Sequence, residues 1–293
     1  MRWRDKRRSS NIEDRRGQRR PRGRKSMGGG FMLLIIVGLF FLMGKNPLNL
    51  IGLGGNGATQ PTSYEQSSAP SGSGANNTTA IDDNKEFVSV ILASTEDAWS
   101  SVFKKAGYKY ERPKLVLFND KVNSACGLTS AATGPFYCPG DHKVYIDLGF
   151  FRELNRMGAQ GDFARAYVIA HEVGHHIQNL QGISMKIQDM QRRVSKRQSN
   201  RLSVLTELQA DCYAGIWIHN YEKQADILER GDIEEGIRAA ASIGDDRMQR
   251  SAGQRVNPDS FTHGSSSDRT QWFKIGMKYG SMKKCDTFSE EGV

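Results

Sequence analysis

Two short runs of this 293-residue chain hold side chains that can do chemistry together: His171-Glu172-Val173-Gly174-His175 and Glu207-Leu208-Gln209-Ala210-Asp211. On an α-helix, residues four apart stack on one face. His171 and His175 therefore aim two imidazoles at one point, and Glu207 and Asp211 aim two carboxylates. Two imidazoles and one carboxylate make three ligands for zinc. Three protein ligands leave a fourth position open, as hydrolysis requires, whereas four close the site. Glu172 lies about 100° round the helix from His171, where it reaches a water at the metal without ligating it. The implied chemistry is hydrolysis with Glu172 as general base, taking the proton of an acidified water and delivering it to a leaving amine.

One class of zinc peptidase takes its third ligand six residues after the second histidine, with a glycine three residues on. Gln181 and Gln178 stand there, so that class is excluded. A glutamate from a following helix is the other solution, and Glu207 fits it. Asp211 is then free to accept a hydrogen bond from a ligand histidine, His171, fixing its tautomer and raising its basicity. The reverse, Asp211 on the metal, stays open. Further on, Thr262-His263-Gly264-Ser265-Ser266-Ser267-Asp268-Arg269 precedes an expected helix. His263 can supply the oxyanion donor that a tetrahedral intermediate needs, and Arg269 can orient Glu207 or a substrate carbonyl. A turn histidine and a solvated arginine are equally good readings of the pair.

These residues carry a resemblance. The run from Asp162 to His176 resembles the signature of the bacterial neutral zinc metallopeptidase family. So do Gly134-Pro135-Phe136-Tyr137-Cys138-Pro139, Glu207 to Asp211, His263 to Arg269, and Asn11-Ile12-Glu13-Asp14-Arg15-Arg16-Gly17. The likeness runs nearly end to end, with no departure at a residue the chemistry needs. It implies a zincin-like fold of gluzincin type and a hydrolase using one Zn2+ per chain. It implies no particular substrate.

The elements must deliver those side chains. The spacing predicts a helix over 163–181, with Val168, Ile169, Val173 and Ile177 on its buried face. Gly174 costs roughly 1 kcal/mol against alanine inside a helix, so another backbone is expected to pack against it. Apolar spacing also predicts a helix from Glu86 to Lys105, and further helices over 150–157, 184–200, 202–220, 233–243 and 271–277. Strands are expected at 114–118 and 143–147. Val144, Tyr145, Ile146 and Asp147 are the candidate edge strand for pairing with an extended substrate, or an ordinary sheet strand. The fold class is α+β: a helix-dominated, zincin-like domain with a small β-sheet, preceded by one transmembrane helix. His142, His176 and His219 read as structural or surface groups. Arg192, Arg193, Lys196, Arg197 and Arg201 read as a solvated face, with contact to lipid headgroups or an acidic substrate the sharper alternative. Cys126 and Cys138 bracket a glycine-rich hairpin and are expected to pair, which leaves Cys212 with Cys285. None has the Cys-x-x-Cys spacing of a metal or redox site.

The net charge of +9 is localised. Up to Lys25, twelve Lys or Arg face only Asp5, Glu13 and Asp14. The rest of the chain is therefore neutral, and the catalytic region has no bulk electrostatic reason to seek nucleic acid. Residues 1–27 read as a basic cytoplasmic tail, too polar to fold alone and attracted to anionic headgroups. Gly28 to Gly44 is uncharged over 17 residues, the short end of a membrane-spanning helix. With the basic block before it, the positive-inside rule puts the N terminus in the cytoplasm. Residues 45–84 read as a flexible linker rich in Gly, Ser and Asn, and 85–293 as the catalytic domain. The expectation is an uncleaved single-pass anchor in the bacterial cytoplasmic membrane, with the site on the extracytoplasmic side and a polypeptide as substrate. Two other functions fit the same residues: a tethered binding or scaffold protein with a vestigial zinc site, and a zinc amidase acting on a non-protein amide.

Overall fold

The computed structural model describes residues 1–17 and 75–289. Its strands, in chain order, are β1 (Ile12–Asp14), β2 (Lys114–Phe118), β3 (Lys121–Ser124), β4 (Gly127–Ser130), β5 (Phe136–Cys138) and β6 (Lys143–Asp147). The helices are α1 (Ala75–Lys105), α2 (Phe150–Arg156), α3 (Asp162–Leu180), α4 (Ile183–Gln191), α5 (Lys196–Ala225), α6 (Asp232–Ser242), α7 (Asp245–Ser251) and α8 (Ser266–Tyr279). The class is helix-dominated α+β.

Leu115, Val116, Leu117 and Phe118 are all buried, the continuous apolar run of a strand covered on both faces. The strand order β1-β2-β6-β5 explains this. β1, β2 and β6 are parallel, and β5 runs antiparallel to β6. β6 is therefore interior: Val144, Tyr145, Ile146 and Asp147 pair with β2 on one side, and Val144 and Tyr145 with β5 on the other. The expected edge strand is corrected, because β5 takes that place beside it. β3 and β4 form a separate hairpin. Cys126 in its turn is disulfide-bonded to Cys138 of β5, and Cys212 of α5 is bonded to Cys285.

Three helix boundaries depart most from expectation, and one is α8, which starts at Ser266 rather than at 271 and so contains Arg269. α1 starts at Ala75, so the linker cannot extend to residue 84. α5 runs unbroken from Lys196 past residues 200–202, where two helices were expected to meet. Ser195 caps it: its hydroxyl accepts from the backbone N–H of Gln198, whose side chain accepts from Ser195 N, a complete capping box. The actual break is at residues 192–195, after α4.

α5 is the spine. Trp217, Tyr213 and Ile216 are buried in the main core with Trp99, Phe163 and Phe273. α8 lies so close that a Cβ at Gly276 would stand 1.8 Å from the carbonyl oxygen of Cys212. Only glycine admits that contact, and the contact brings Arg269 alongside Asp211.

The N-terminal segment also departs from expectation. Residues 1–17 belong to the same compact unit as the helices. Trp3 is 4% exposed, packs edge-on against Phe87, and donates from Nε1 to Asp162 at the start of α3 over 2.8 Å. Ser9 and Asn11 donate to the buried Glu96 carboxylate, which Arg7 also pairs. Much of the segment's charge is met by acidic groups of the body: Arg2 with Asp226, Arg7 with Glu96 and Asp97, Arg8 with Glu86. A solvated tail over residues 1–17 is thus overturned. β1, from this segment, pairs with β2 in one sheet. The expected anchor at 28–44 lies outside the described residues. Among those described, no helix is long and apolar enough to cross a membrane.

This packing makes a quantitative prediction. Trp3→Ala should lower stability by about 3–5 kcal/mol, the range for emptying a buried aromatic site. Tyr108→Ala, at a side chain 71% exposed, should change it by less than about 0.5 kcal/mol. Urea unfolding followed by circular dichroism measures both.

Candidate metal centre

α3 and α5 cross where Gly174 meets Ala210: a Cβ on Gly174 would lie 2.9 Å from the Ala210 carbonyl oxygen and 3.1 Å from its Cα. The close backbone that the mid-helix glycine implied is thus the helix bearing Glu207 and Asp211. One turn either side of this contact, the polar faces meet. Nε2 of His171 is 3.1 Å from Glu207 Oε2, and Nε2 of His175 is 3.3 Å from Oε1 of the same carboxylate. The two imidazoles stand 4.8 Å apart, nearly perpendicular. Among the described residues these three form the group able to hold a metal ion, their donor atoms all within 4.8 Å of one another.

Asp211, fully buried, turns away from that point. Its Oδ1 accepts from His171 Nδ1 over 2.8 Å and from the Tyr167 hydroxyl. Arg269, 1% exposed, grips it with two donors, Nε to Oδ2 at 2.9 Å and Nη2 to Oδ1 at 3.0 Å. Its approach to Glu207 is longer, 3.8 Å. The guanidinium is therefore spent first on Asp211, and through Asp211 on His171, rather than on Glu207 or a substrate carbonyl. Tyr167 was not singled out in the sequence; one turn before His171, its hydroxyl is the polar tip of a residue that otherwise reads as core.

Burial alone would push the His171 imidazole down, but Asp211 and Glu207 outweigh it and push it up to about 10. His175 is raised in the same way, by Glu207 against burial. Glu207 is held well below the carboxylate range by the two imidazoles, against its own burial. For Glu172 burial dominates and raises the carboxyl, although both histidines pull it down. The Glu172 side chain makes no hydrogen bond among the described residues and lines the cleft instead.

That cleft has a volume of about 1140 Å³, and its walls include His171, Glu172, His175, Glu207, His263, Gly134, Phe136 and Tyr137. β5 contributes the last two and is an edge of the four-stranded sheet among the described residues. His263 is half-exposed in the same wall. Its Nδ1 lies 3.2 Å from Asp245 Oδ1, and Asp245 Oδ2 accepts the backbone N–H groups of Thr262, His263 and Gly264. That hydrogen bond to Asp245 raises the imidazole pKa, against burial. Asp245 was missed; the signal available was Gly244-Asp245-Asp246 opening α7. His176, adjacent to His175, faces elsewhere. It donates from Nε2 to the Glu111 carbonyl and accepts from the Tyr137 hydroxyl, and burial drops it to about 4. In the basic run, Arg192 and Arg193 pair with Asp189, and Arg197 with Asp259, a solvated surface.

The donor set fits zinc: two imidazole nitrogens, a carboxylate, and a histidine whose far nitrogen is fixed by a carboxylate. Together His171, His175 and Glu207 make a possible metal site, with the Glu172 carboxylate in the same cleft. Residues 1–288 match the family described as "Putative neutral zinc metallopeptidase", and the chain belongs to that family. It is 45% identical over 302 residues to "Uncharacterized protein YpfJ" of Escherichia coli K12, covering 99% of both chains. It is 38% identical over 259 residues to "Uncharacterized protein Mb2605" of Mycobacterium bovis, covering 85% of this chain and 84% of that one. No solved structure matches.

Two outcomes are expected of the centre. Glu207→Ala should lose stoichiometric zinc while keeping its fold, as read by elemental analysis after dialysis; full occupancy would remove Glu207 from the ligands. Because the neighbouring carboxylates raise both imidazoles against burial, zinc is expected to displace protons on binding. Calorimetry at pH 7 in buffers of different ionisation enthalpy should show protons released, and apparent affinity should rise as pH rises.

Proposed function

We propose that this protein is a zinc-dependent peptidase that hydrolyses peptide bonds with Glu172 as the acid–base group. One observation carries the reading. A buried carboxylate with no hydrogen-bond partner among the described residues lines the cleft beside three convergent metal donors. A binding or scaffold protein has no use for such a group, and burial tunes it toward the neutral range where a general base works best.

His171, His175 and Glu207 would hold the ion. Zinc supplies Lewis acidity, which lowers the pKa of a water and polarises a carbonyl. Glu172 takes the proton of the attacking water and returns it to the leaving amine. His263, with Nδ1 engaged by Asp245, has Nε2 to offer the developing oxyanion. The substrate backbone pairs with β5, whose outer edge is unpaired among the described residues, in place of the interior β6. Arg269 and Tyr167 keep Asp211 ionised and aimed at His171.

Membrane attachment through residues 28–44 is part of the proposal, supported by their lack of charge. Residues 1–17 and 75–289 then lie on one side of the bilayer. The two disulfides favour the oxidising, extracytoplasmic side. Headgroup contact falls to the basic residues between Arg19 and Lys25, since Arg2, Arg7 and Arg8 are engaged with the body.

Chelator-sensitive cleavage of an unbiased peptide library tests the activity; no cleavage by zinc-loaded protein overturns it. Glu172→Gln should cut kcat by roughly 10²–10⁴ at unchanged zinc content. His263→Ala should cost about 10²–10³ in kcat with little change in KM. Cysteines placed at Asp5 and at Met185 should react alike with a membrane-impermeant maleimide in intact cells; opposite reactivity would refute the shared side.

A further inference from the structure

His171 has a carboxylate behind it, but His175 does not. Its Nδ1 lies 2.8 Å from the side-chain oxygen of Gln178, a residue fully buried one turn along α3. The Gln178 amide nitrogen donates twice, to the backbone carbonyl of Thr206 at 2.8 Å and to Gln209 Oε1 at 3.0 Å. Gln209, 4% exposed, donates in turn to the carbonyl of Cys285 at 3.0 Å.

An isolated amide can flip, exchanging its oxygen for its nitrogen, and a histidine can then exchange tautomers. Here neither is free. The chain of amides ends at two backbone carbonyls, Thr206 and Cys285, which only accept. Cys285 O requires the Gln209 nitrogen, which turns Gln209 Oε1 toward Gln178. Together, Thr206 O and Gln209 Oε1 require the Gln178 nitrogen. The Gln178 oxygen is left facing His175, which must then carry its proton on Nδ1. With Nδ1 protonated, only Nε2 can present a lone pair, and Nε2 is the atom that faces Glu207.

We propose that Gln178 is a positioning residue for the metal centre: oriented by Thr206, Gln209 and Cys285, it locks His175 in the Nδ1–H form and presents Nε2 to the ion. The inference rests on the zinc reading above and deepens it. The same amide ties α3 to the peptide unit just before Glu207, so one side chain sets the second ligand and the mounting of the third. The disulfide between Cys212 and Cys285 holds the far end of the relay on α5, which gives that cross-link a role at the site.

The test uses the full chain. Gln178→Leu should weaken zinc binding 10–100-fold, the effect of losing a partner behind a ligand, measured by competition with a chelator. Gln178→Glu should also weaken it. A carboxylate there would support His175 more strongly if charge were all that mattered, but it cannot donate to Thr206 O or Gln209 Oε1. Gln209→Leu keeps Gln178 but frees its orientation, and should give a smaller loss; it serves if the Gln178 variants fail to fold. Nitrogen-15 NMR of the histidines is the second readout. In the wild type, zinc-free or loaded, the Nδ1 proton of His175 should exchange slowly; in Gln178→Leu and Gln209→Leu it should exchange fast, with the His171 proton unchanged. Wild-type zinc affinity and a slow His175 Nδ1 proton in these variants would overturn the proposal. If the wild type bound no zinc, the zinc reading would fall, and the proton exchange alone would decide the tautomer lock.

Discussion

The site depends on how closely two helices cross. α3 and α5 touch backbone to backbone at Gly174 and Ala210, and every polar contact of the centre follows from that approach. At ordinary helix separation, 8–10 Å between axes with side chains interleaved, a carboxylate on one helix would not lie 3.1 and 3.3 Å from both imidazoles of the other. A second close contact, Gly276 of α8 against Cys212, does the same for Arg269. Two glycines without side chains thus let three helices bring charges together.

Once together, those charges stabilise one another only as a set. Arg269, Asp211, Tyr167, His171 and Glu207 are buried or nearly so, and an isolated ion there would carry a large desolvation cost. Asp211 answers Arg269, and the two imidazoles answer Glu207. Glu172 is the exception: a carboxyl raised by burial and left without a partner among the described residues. Structural carboxylates elsewhere in this chain are engaged, as Glu96 is by Ser9, Asn11 and Arg7. That contrast is what supports the acid–base role proposed for Glu172.

The N-terminal segment shows how charge misleads when read along the chain alone. Twelve basic residues up to and including Lys25 suggested a solvated arm, but solvation is only one way to accommodate an arginine. Here the acidic partners sit 78 to 224 residues away, and Trp3 and the short strand β1 hold the segment where its arginines meet them. Three residues, Ile12–Asp14, have no alternating pattern to detect, and β1 exists because β2 offers it an edge.

The sequence by itself determined which side chains could share a site: helical periodicity alone puts His171 with His175 and Glu207 with Asp211 on single faces, and Gln178 and Gln181 exclude a third histidine six residues past His175. Gly174 announced a neighbouring backbone, whereas the capping box of Ser195 and Gln198, an equally local signal, went unread and the helix was split at 200–202. Four-residue periodicity is a local property, so these features are legible without the fold. What the tertiary structure decided is long-range. Only the sheet order makes β6 interior and β5 the edge. The crossing of α5 and α8 commits Arg269 to Asp211. The meeting of α3, α5 and the segment around Cys285 turns Gln178, which in the sequence merely stood where a glycine was absent, into the support of His175. Such contacts depend on which surfaces pack together, and no local spacing encodes that.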